Sequence, residues 1–413
     1  MNADVNSLEA RAVLGHLSPD MADVLEHAAS LQDPLYLVGG NVRDALLSLP
    51  EGEGVEARDL DLVTEGSARA LGETLREVFG GDLTCHDAFM TCTLSLPSLD
   101  VDIATAREET YPFPGALPVV KQSTLERDLF RRDFTLNALA VRVSPPALID
   151  LFHGVKDLKH KQLRILHPNS FTDDPTRILR GTRLAGRLGF SFHPDTAEEL
   201  TAALAAGAAS TVSPSRLKNE LLLTLAEPQV APALELMVRY GILGRMFALH
   251  VGVKRLGQLR YLDEQRRMGA VPDESYLLLL LTSVPEDELT GHAAAFGWSK
   301  RLLAKRRTLI QAGRGEIDER ALDAPIRAAL EALNPELKGR LEGLETLARR
   351  PKLSGKDVLE LGLPEGPAVG QVLSDVAKAR ADGRLHSFQA ERDFARALVE
   401  QRLCAADDDQ ETL

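Results

Sequence analysis

Cysteine and aromatic residues are scarce in this 413-residue chain. Its three cysteines, Cys85, Cys92 and Cys404, include no Cys-x-x-Cys pair and cannot all pair with one another. We therefore expect neither a disulfide framework nor a structural zinc site, and reduced thiols suit a cytoplasmic protein. Aromatic residues make up 5% of the chain, whereas alanine, leucine, arginine and glutamate recur at helical spacing. This composition favours a mostly α-helical protein over a β-sandwich.

The sequence also lacks a long hydrophobic run and an excess of basic residues. No stretch approaches about 20 uninterrupted apolar residues, and the N-terminus lacks the basic and apolar regions of a signal peptide. We therefore expect a cytoplasmic protein with no membrane partner. The formal net charge of -13 argues against a generally basic surface. Nucleic-acid binding requires only a local basic stripe, which this total charge does not exclude.

A helical segment opens the chain, and a mixed pattern of strands follows it. The first 30 residues have the spacing of an amphipathic helix, and the next run is a buried strand that ends at Gly39-Gly40. Three runs of strand-forming residues, separated by turns and a helix, are predicted within 58–64, 83–96 and 99–106. These elements predict a small mixed α/β head.

The remainder of the chain has a different pattern. Strand patterns nearly vanish after about Asp150, and amphipathic helices rich in alanine and leucine follow. We therefore predict an α+β protein in which a head with a mixed sheet precedes an elongated all-α part. The predicted boundaries are a head over 1–145, a helical neck over 146–235, a helical body and tail over 236–400, and a disordered acidic tail over 401–413.

Two aspartates in the run 58–63 (RDLDLV) fall on one face of a predicted strand. Because side chains alternate along a strand, Asp59 and Asp61 would emerge together, with Cα atoms about 6.6 Å apart. Two like charges this close are costly unless a cation lies between them, and such carboxylates hold divalent metal ions in phosphoryl-transfer enzymes. Mg²⁺ is the ion expected, since it takes one or two carboxylates plus phosphate oxygens. The alternative, which the spacing alone favours, is two solvated aspartates on an exposed strand.

A Gly-Gly turn precedes this strand and makes the metal hypothesis stronger. Gly39 and Gly40 stand between a strand and a helix start that carries Arg43. Backbone N–H groups at such a turn suit a triphosphate, and a guanidinium adds a forked donor. The alternative is a tight turn that needs a positive φ, which is the commoner use of Gly-Gly.

Four segments of the chain together resemble the class II tRNA nucleotidyltransferase and bacterial poly(A) polymerase family: LVGGNVRDALL, RDLDLVTEG, RRDFTLNALAV and DDPTRILRGTRLAGRLGF. Members of that family build the CCA end of tRNA or add A tails. The resemblance covers roughly residues 35–225, while the C-terminal helices resemble the family in composition only. It implies a polymerase-β-like nucleotidyltransferase head, with Mg²⁺ held by Asp59 and Asp61 and with Asp102 as a possible third carboxylate.

The third of these segments looks like the family's ribose-reading motif. In it Arg132 is suited to phosphates, Asp133 to accepting from a 2′-OH, and Asn137 to the same nucleotide site. The alternative is that Arg132 and Asp133 cap a helix beginning near Phe134. Nucleotide binding and helix capping by these two residues are compatible with each other.

The fourth segment begins a helix and looks like the family's base-reading motif. Asp174 before a proline suits an N-cap, and capping alone would explain it. Capping does not explain Arg177, Arg180 and Arg183, which line one helix face. The family usually has Glu-Asp where this chain has Asp173-Asp174, which puts the supporting contact of the first carboxylate in doubt. Further on, we interpret Arg216 and Glu220 as an i, i+4 pair with no catalytic role.

A basic stretch over 298–314 stands out in the acidic chain. It has a local charge of +6 and no acidic residue, and its candidate RNA-binding residues are Lys300, Arg301, Lys305, Arg306 and Arg307. Basic helices of this kind contact phosphates without reading sequence, which suits a tRNA acceptor arm. A weaker stretch over 254–267 adds +3. The alternative in both places is an ordinary solvated helix face.

The function expected from these features is Mg²⁺-dependent addition of C and/or A to the tRNA 3′ end. CTP and ATP would be the substrates, no nucleic-acid template would be used, and pyrophosphate would leave. Rival functions are a CC-only or A-only enzyme, a poly(A) polymerase, a small-molecule nucleotidyltransferase, and an inactive protein that binds RNA 3′ ends. The segment 109–130 has full length, which mildly favours an enzyme that reaches the A step. We expect no DNA partner and a monomer or homodimer.

Overall fold

The computed structural model describes residues 3–31, 34–49, 58–269, 271–317, 322–339, 341, 353–381, 384–385 and 387–408. The chain forms two compact units, which are Met1–Ile310 with Ala324–Ala329, and Gln311–Asp323 with Leu330–Leu413. The first unit contains a strand-rich part followed by helices, as the sequence predicts. In the described part of the chain, no helix has the length and hydrophobicity needed to cross a membrane.

A seven-stranded mixed sheet forms the head, with the order β3-β4-β5-β2-β1-β8-β9. Strand β2 pairs parallel with β5, and the other neighbours in this sheet pair antiparallel. The strands are β1 (Leu35–Val38), β2 (Asp59–Thr64), β3 (Asp82–His86), β4 (Thr91–Ser95), β5 (Asp100–Thr105), β8 (Ala140–Arg142) and β9 (Ala147–Ile149). Because β9 belongs to the sheet, the head extends beyond the boundary predicted at residue 145.

The predicted alternation along β2 is confirmed. Leu60 and Leu62 are completely buried, whereas Asp59 is exposed and Asp61 is half-buried. This pattern follows from the period of two along a strand, with one face toward the core.

Helices cover the head sheet, and the predicted N-terminal helix is in fact two. They are α1 (Ala3–Gly15), α2 (Pro19–Leu31), α3 (Gly40–Ser48), α4 (Ala68–Phe79) and α5 (Leu125–Phe130). The break falls before Pro19, because proline has no N–H to donate and favours the first turn of a new helix. Side chains of α2 such as Met21 and Val24 are buried.

A small hairpin projects from the head within the segment 107–122. Strands β6 (Arg107–Thr110) and β7 (Val119–Gln122) pair antiparallel. Gly115 lies in the connection with φ of 73°, and a Cβ there would come within 2.5 Å of the Thr211 carbonyl oxygen. Only glycine fits this close approach, so the connection is docked against the neck.

The neck and the first part of the body are helical except for two short parallel strands, β10 (Gln162–Leu163) and β11 (Ser191–Phe192). The helices are α6 (Gly154–Lys159), α7 (Ser170–Asp173), α8 (Thr176–Leu188), α9 (Pro194–Ala205), α10 (Pro214–Leu225), α11 (Ala231–Arg239), α12 (Ile242–Phe247), α13 (Val253–Met268), α14 (Asp273–Leu281), α15 (Leu289–Phe296), α16 (Lys300–Gly313) and α17 (Ala324–Leu333). Gly186 lets α8 approach α11 closely, since a Cβ at this position would lie 2.6 Å from the Ala233 nitrogen.

The second unit has its own apolar core around α18 (Gly355–Glu360), α19 (Pro367–Ala381) and α20 (Phe388–Asp408). Val358, Val372 and Val399 are completely buried in it. The disordered tail predicted from residue 401 is wrong as far as Asp408, because the helix-forming residues at the end of α20 carry the helix onward. Residues 409–413 lie outside the described part of the chain.

A disulfide joins Cys85 and Cys92, so the expectation of reduced thiols is wrong for this pair. The two residues face each other directly in the β3–β4 pairing, with Cα atoms 4.1 Å apart. A separation of seven residues in sequence does not reveal this, because the opposition depends on the register of the hairpin.

Candidate active site

A cleft of about 730 Å³ lies between the head sheet and helix α8 of the neck. Its walls include every residue predicted to bind nucleotide, although these residues come from three separate segments: Gly39, Gly40, Arg43, Arg132, Asp133, Asn137, Asp174, Arg177, Arg180 and Arg183. Asp61 and Asp102 line the same cleft. The fold therefore gathers the predicted residues into one site.

Asp61 and Asp102 are direct neighbours across the parallel pair of β2 and β5. The Thr93 hydroxyl donates to Asp102 Oδ1 at 2.5 Å and thereby orients this carboxylate. Asp59 has Asp100 as its partner in register, is exposed, and is not among the cleft-lining residues. The carboxylates that face the cleft together are thus Asp61 and Asp102, of which the second was only a possible ligand from sequence.

Burial, followed by the nearby carboxylates of Asp102 and Asp59, raises the pKa of Asp61 to about 6 against the opposing effect of Arg132. Crowded carboxylates of this kind are the donor set that a divalent cation suits. Within the described residues, no three His, Cys, Asp or Glu side chains form a group that could hold a metal ion. The donor set fits an ion such as Mg²⁺, which completes its coordination with water and phosphate oxygens.

The Gly-Gly turn has the geometry that the sequence suggests. Gly39 has φ of 67°, and α3 begins at the next residue. A Cβ on Gly39 would lie 3.0 Å from Arg132 Nη1, so the glycine also makes room for that guanidinium. The side chain of Asn41, which the sequence analysis did not single out, donates to the Asp59 carbonyl at 2.8 Å and accepts from the Asp61 N–H at 2.9 Å. Asn41 therefore fixes the turn to the strand that carries Asp61.

Arg43 is buried and paired inside the protein. It donates to both carboxylate oxygens of Asp44 at 2.7 Å and to Asn137 Oδ1 at 2.5 Å. Its side chain lies along the cleft wall, where its charge adds to the local potential.

A buried carboxylate, Asp128, holds the two arginines that open the RRDFTLN segment. Its oxygens accept from Arg131 Nη2 at 2.7 Å and from Arg132 Nη2 at 3.0 Å. Burial opposes its ionisation, yet the two guanidinium groups hold the pKa of Asp128 below its usual range. Sequence reasoning missed this residue, because an acidic residue in a short amphipathic helix has no distinguishing pattern.

Asp133 is buried and forms a polar cluster with its neighbours. It accepts from the Phe134 N–H and from Asn137 Nδ2, both at 2.9 Å, and pairs with Arg180 Nη2 at 2.9 Å. Burial disfavours its ionised form, but Arg180 and Asn137 hold the pKa of Asp133 below its usual value. The helix considered near Phe134 is only a 3₁₀ turn at Thr135–Asn137, so Asp133 does not cap an α-helix.

Asp174 and Arg177 stand at the start of α8. Asp174 Oδ1 accepts from the Thr176 N–H at 3.1 Å and from its hydroxyl at 2.7 Å, so this oxygen holds the start of the helix, although Pro175 occupies the N-cap position that the sequence assigned to Asp174. Arg216 Nη2 donates to the same oxygen at 2.8 Å. Among the groups that the structure describes, none donates to Asp174 Oδ2.

Arg177 is almost completely buried at the wall of the cleft. Its guanidinium donates to Ser170 Oγ at 2.7 Å and to the Arg131 carbonyl at 2.6 Å, and lies 3.4 Å from the Tyr111 hydroxyl. The Tyr111 hydroxyl in turn donates to Glu109 at 2.8 Å. The hairpin therefore contacts the predicted base-reading residues.

The pairing predicted between Arg216 and Glu220 is wrong. Arg216 joins the Gly115 carbonyl, at 2.9 Å, to Asp174. Glu220 instead pairs with Arg183 at 3.2 Å, and burial raises the pKa of Glu220 despite that pairing. Helix packing against α8 decides these partners, since α8 brings an opposite charge closer than the next turn of the same helix does.

The predicted RNA-binding stretch is only partly available for RNA. Arg306 is 2% exposed and donates to the Leu281 and Val284 carbonyls and to Glu286, so its assignment to RNA binding is corrected to a structural role. Lys305 pairs with Glu274 and is mostly buried. Lys300, Arg301 and Arg307 are exposed.

The second, weaker basic stretch contains paired residues as well. Arg260 pairs with Glu235 at 2.6 Å. Arg266 pairs with Asp273, donates to backbone carbonyls, and stacks over the ring of Tyr276. Arg260, with 61% of its side chain exposed, fits the alternative of a solvated helix face, whereas Arg266 is only 13% exposed and has a structural role.

Two parts of the chain match family descriptions. Residues 35–164 match the poly A polymerase head domain. Residues 189–250 match a family described as the "probable RNA and SrmB-binding site of polymerase A". The first match covers the head sheet, and the second begins just after α8.

Curated relatives of this chain are named as tRNA nucleotidyltransferases. The A-adding tRNA nucleotidyltransferase of Halalkalibacterium halodurans is 44% identical over 208 residues, which are 49% of this chain and 47% of the relative. The CC-adding tRNA nucleotidyltransferase of Deinococcus radiodurans is 35% identical over 384 residues, covering 91% of this chain and 92% of the relative. The chain spans less than half the length of the A-adding relatives that it matches.

A solved structure is similar over nearly the full chain. The Thermotoga maritima CCA-adding enzyme complexed with tRNA-CCA has a TM-score of 0.68 and is 25% identical. The similarity covers 94% of this chain and 97% of that one. The polymerase head followed by helices is therefore a fold that both proteins share.

Proposed function

This chain belongs to the family of tRNA nucleotidyltransferases and bacterial poly(A) polymerases, and from that premise we propose that it adds C and A to the tRNA 3′ end. CTP and ATP are the substrates, pyrophosphate leaves, and no nucleic-acid template is used. The observation that carries the proposal is the cleft itself, which is lined both by the strand neighbours Asp61 and Asp102 and by Asp174 and Arg177. Phosphoryl transfer requires the pair of carboxylates for a metal ion, and base selection requires the carboxylate and guanidinium of the second pair.

Asp61 and Asp102 are the residues that would hold Mg²⁺. When bound, the ion would offset the negative charge of the reacting phosphates and lower the pKa of the attacking hydroxyl. Thr93 keeps Asp102 oriented, and Asn41 keeps the strand of Asp61 in place. Asp59 contributes negative charge from the edge of this group. The cytoplasmic location expected from the sequence stays a prediction.

The triphosphate belongs at the Gly39-Gly40 turn. The N–H groups of a helix start favour negative charge, and Arg132 lies directly beside Gly39. Asp128 neutralises part of the charge of Arg132, whose side chain is 18% exposed and lines the cleft. Asp133, held by Arg180 and Asn137, would accept a hydrogen bond from a ribose hydroxyl.

We assign base selection to Asp174 Oδ2 and to the N–H donors of Arg177 beyond its three protein contacts. Cytosine offers an N4 amino donor beside the N3 acceptor, and adenine offers an N6 donor beside N1. A carboxylate oxygen and a guanidinium N–H complement both bases. Uracil and guanine present a carbonyl and a ring N–H at these places, so both protein groups would be left unpaired. A site built on hydrogen bonds rejects such analogues by about 10⁴-fold.

RNA would be held outside the cleft by exposed basic residues. Lys300, Arg301 and Arg307 on α16 are the candidates that remain from the predicted stretch. Contacts of this type bind phosphates and carry no sequence information. They suit a substrate recognised by shape, as every tRNA would be.

A CC-only enzyme is the second candidate, because the relative that matches this chain over 92% of its own length is CC-adding. One experiment separates the candidates. Purified protein is incubated with Mg²⁺ and each NTP, alone and combined, on tRNAs ending before, within and after CCA. Addition of three nucleotides supports the CCA proposal, and a stop after two supports the CC-only enzyme. Long A tails would indicate a poly(A) polymerase, and no incorporation would overturn nucleotidyl transfer to tRNA.

A further inference from the structure

The arginines that line the cleft differ in whether the protein already uses their donors. Seven of them have a carboxylate or an oxygen acceptor within the protein: Arg43, Arg107, Arg131, Arg132, Arg177, Arg180 and Arg183. Arg187 also lines the cleft and is exposed. Within the described residues it forms no ion pair or hydrogen bond through its guanidinium, so its N–H donors are available to an external acceptor.

Helix α8 places Arg187 on the cleft face but far from the base-reading end. Arg187 follows Arg183 by four residues and Arg180 by seven, spacings that keep all three on one side of a helix. At 1.5 Å per residue, Arg187 lies about 10 Å along the axis beyond Arg180 and about 15 Å beyond Arg177. Arg177 is buried, whereas Arg187 is exposed, so the cleft opens toward the end of α8.

The helix end is rigid, although the side chain of Arg187 is free. Gly186 packs directly on the backbone of Ala233, and Gly189 ends the helix with a φ of 66°. Glu227, which lines this part of the cleft, is 9% exposed and lies 3.8 Å from Arg183. This acidic group of the cleft lining is thereby directed to another arginine, and Arg187 stays available to an external anion.

We propose that Arg187 binds a backbone phosphate of the RNA 3′ strand where that strand enters the cleft. This inference rests on the proposed function. A tRNA is far larger than a cleft of about 730 Å³, so only its last nucleotides enter, and the strand must pass the open end. The triphosphate of the incoming nucleotide is held at the other end, beside Gly39 and Arg132. A phosphodiester is therefore the anion that reaches Arg187, and a guanidinium binds it without reading the base.

The decisive experiment compares tRNA binding by the wild-type protein and by Arg187→Gln. The tRNA carries a neutral methylphosphonate at each of its last three linkages in turn. We expect Arg187→Gln to weaken binding of normal tRNA about tenfold, as loss of a charge-assisted hydrogen bond should, and to reduce the salt slope by about 0.7. One of the three methylphosphonates should weaken wild-type binding by a similar factor and leave Arg187→Gln unaffected.

If each of the three methylphosphonates weakened tRNA binding by Arg187→Gln as much as it weakens binding by the wild type, the proposal would be overturned. An unchanged salt slope for Arg187→Gln would also overturn it. A raised KM for CTP with unchanged tRNA binding would assign Arg187 to the triphosphate and also overturn it. Arg239→Gln is the matched control, since Arg239 is an exposed arginine at the end of α11 outside the cleft lining, and it should leave binding unchanged. Arg187→Lys should restore most of the salt slope, which separates charge from packing. The binding assay requires no nucleotide incorporation. A protein that binds tRNA as expected but does not incorporate CTP would therefore contradict the proposed function and leave the assignment of Arg187 intact.

Discussion

Replacing Asp174 by Asn tests base selection with little disturbance of the fold. The isosteric amide keeps one oxygen that accepts from the Thr176 N–H, and Asn serves as well as Asp at such a helix start. The change removes the negative charge facing Arg216, whose side chain is 29% exposed. We expect a loss of about 1 kcal/mol in the free energy of unfolding, because ion pairs that solvent reaches contribute no more than this.

The effect on catalysis should be much larger. Asp174 Oδ2, the oxygen without a protein partner in the described chain, would accept from the amino group of cytosine. A hydrogen bond to a charged group contributes about 1.5–3 kcal/mol, which corresponds to a loss of about 10- to 150-fold in kcat/KM for CTP. An amide can also turn its NH₂ group toward the carbonyl of uracil. The ratio of kcat/KM for CTP to kcat/KM for UTP should therefore fall about tenfold or more.

Single-nucleotide incorporation with each of the four NTPs measures this margin, and thermal unfolding measures the stability. Thr176→Val is the matched control, because it removes the hydroxyl that donates to Asp174 at 2.7 Å and keeps the carboxylate. This control should lose stability and retain its preference for CTP. If folded Asp174→Asn discriminates against UTP as the wild type does, Asp174 is a helix cap and the base-selection argument is refuted.

Three further outcomes are expected. Asp61→Asn should lower CTP incorporation at least about 10³-fold while tRNA binding persists, and near-normal turnover would remove Asp61 from the metal site. Arg306→Gln should lower the unfolding free energy by about 3 kcal/mol and leave the salt slope of tRNA binding unchanged, whereas Arg301→Gln with Arg307→Gln should lower that slope by about 2 at unchanged stability. If Arg306→Gln instead lowered the salt slope at unchanged unfolding free energy, Arg306 would again be a candidate RNA-binding residue. Gly39→Ala should cost about 1–2 kcal/mol and raise the KM for CTP, since its Cβ presses on Arg132; an unchanged KM would contradict the triphosphate assignment.

Local patterns in the sequence determined the elements around the site. The alternation in RDLDLV placed Leu60 and Leu62 in the core and exposed Asp59, since a strand has a period of two whatever surrounds it. Gly39 at a positive φ and the arginines along one face of α8 follow from equally short-range rules. The motifs were sufficient to predict ten of the residues that line the cleft, although Asp59 is not among the lining residues.

Tertiary structure decided which of those groups work together. Asp102 lies beside Asp61 because the register of two parallel strands places it there, and register depends on residues far apart in sequence. Tertiary contacts also decided which partner each charged side chain has. Arg306 is buried against carbonyl groups, Glu220 pairs with Arg183, and Asp128 holds Arg132. A charged side chain has the same sequence signature whether it is solvated or paired. Only packing brings the opposite charge within reach and removes the water that would otherwise screen it.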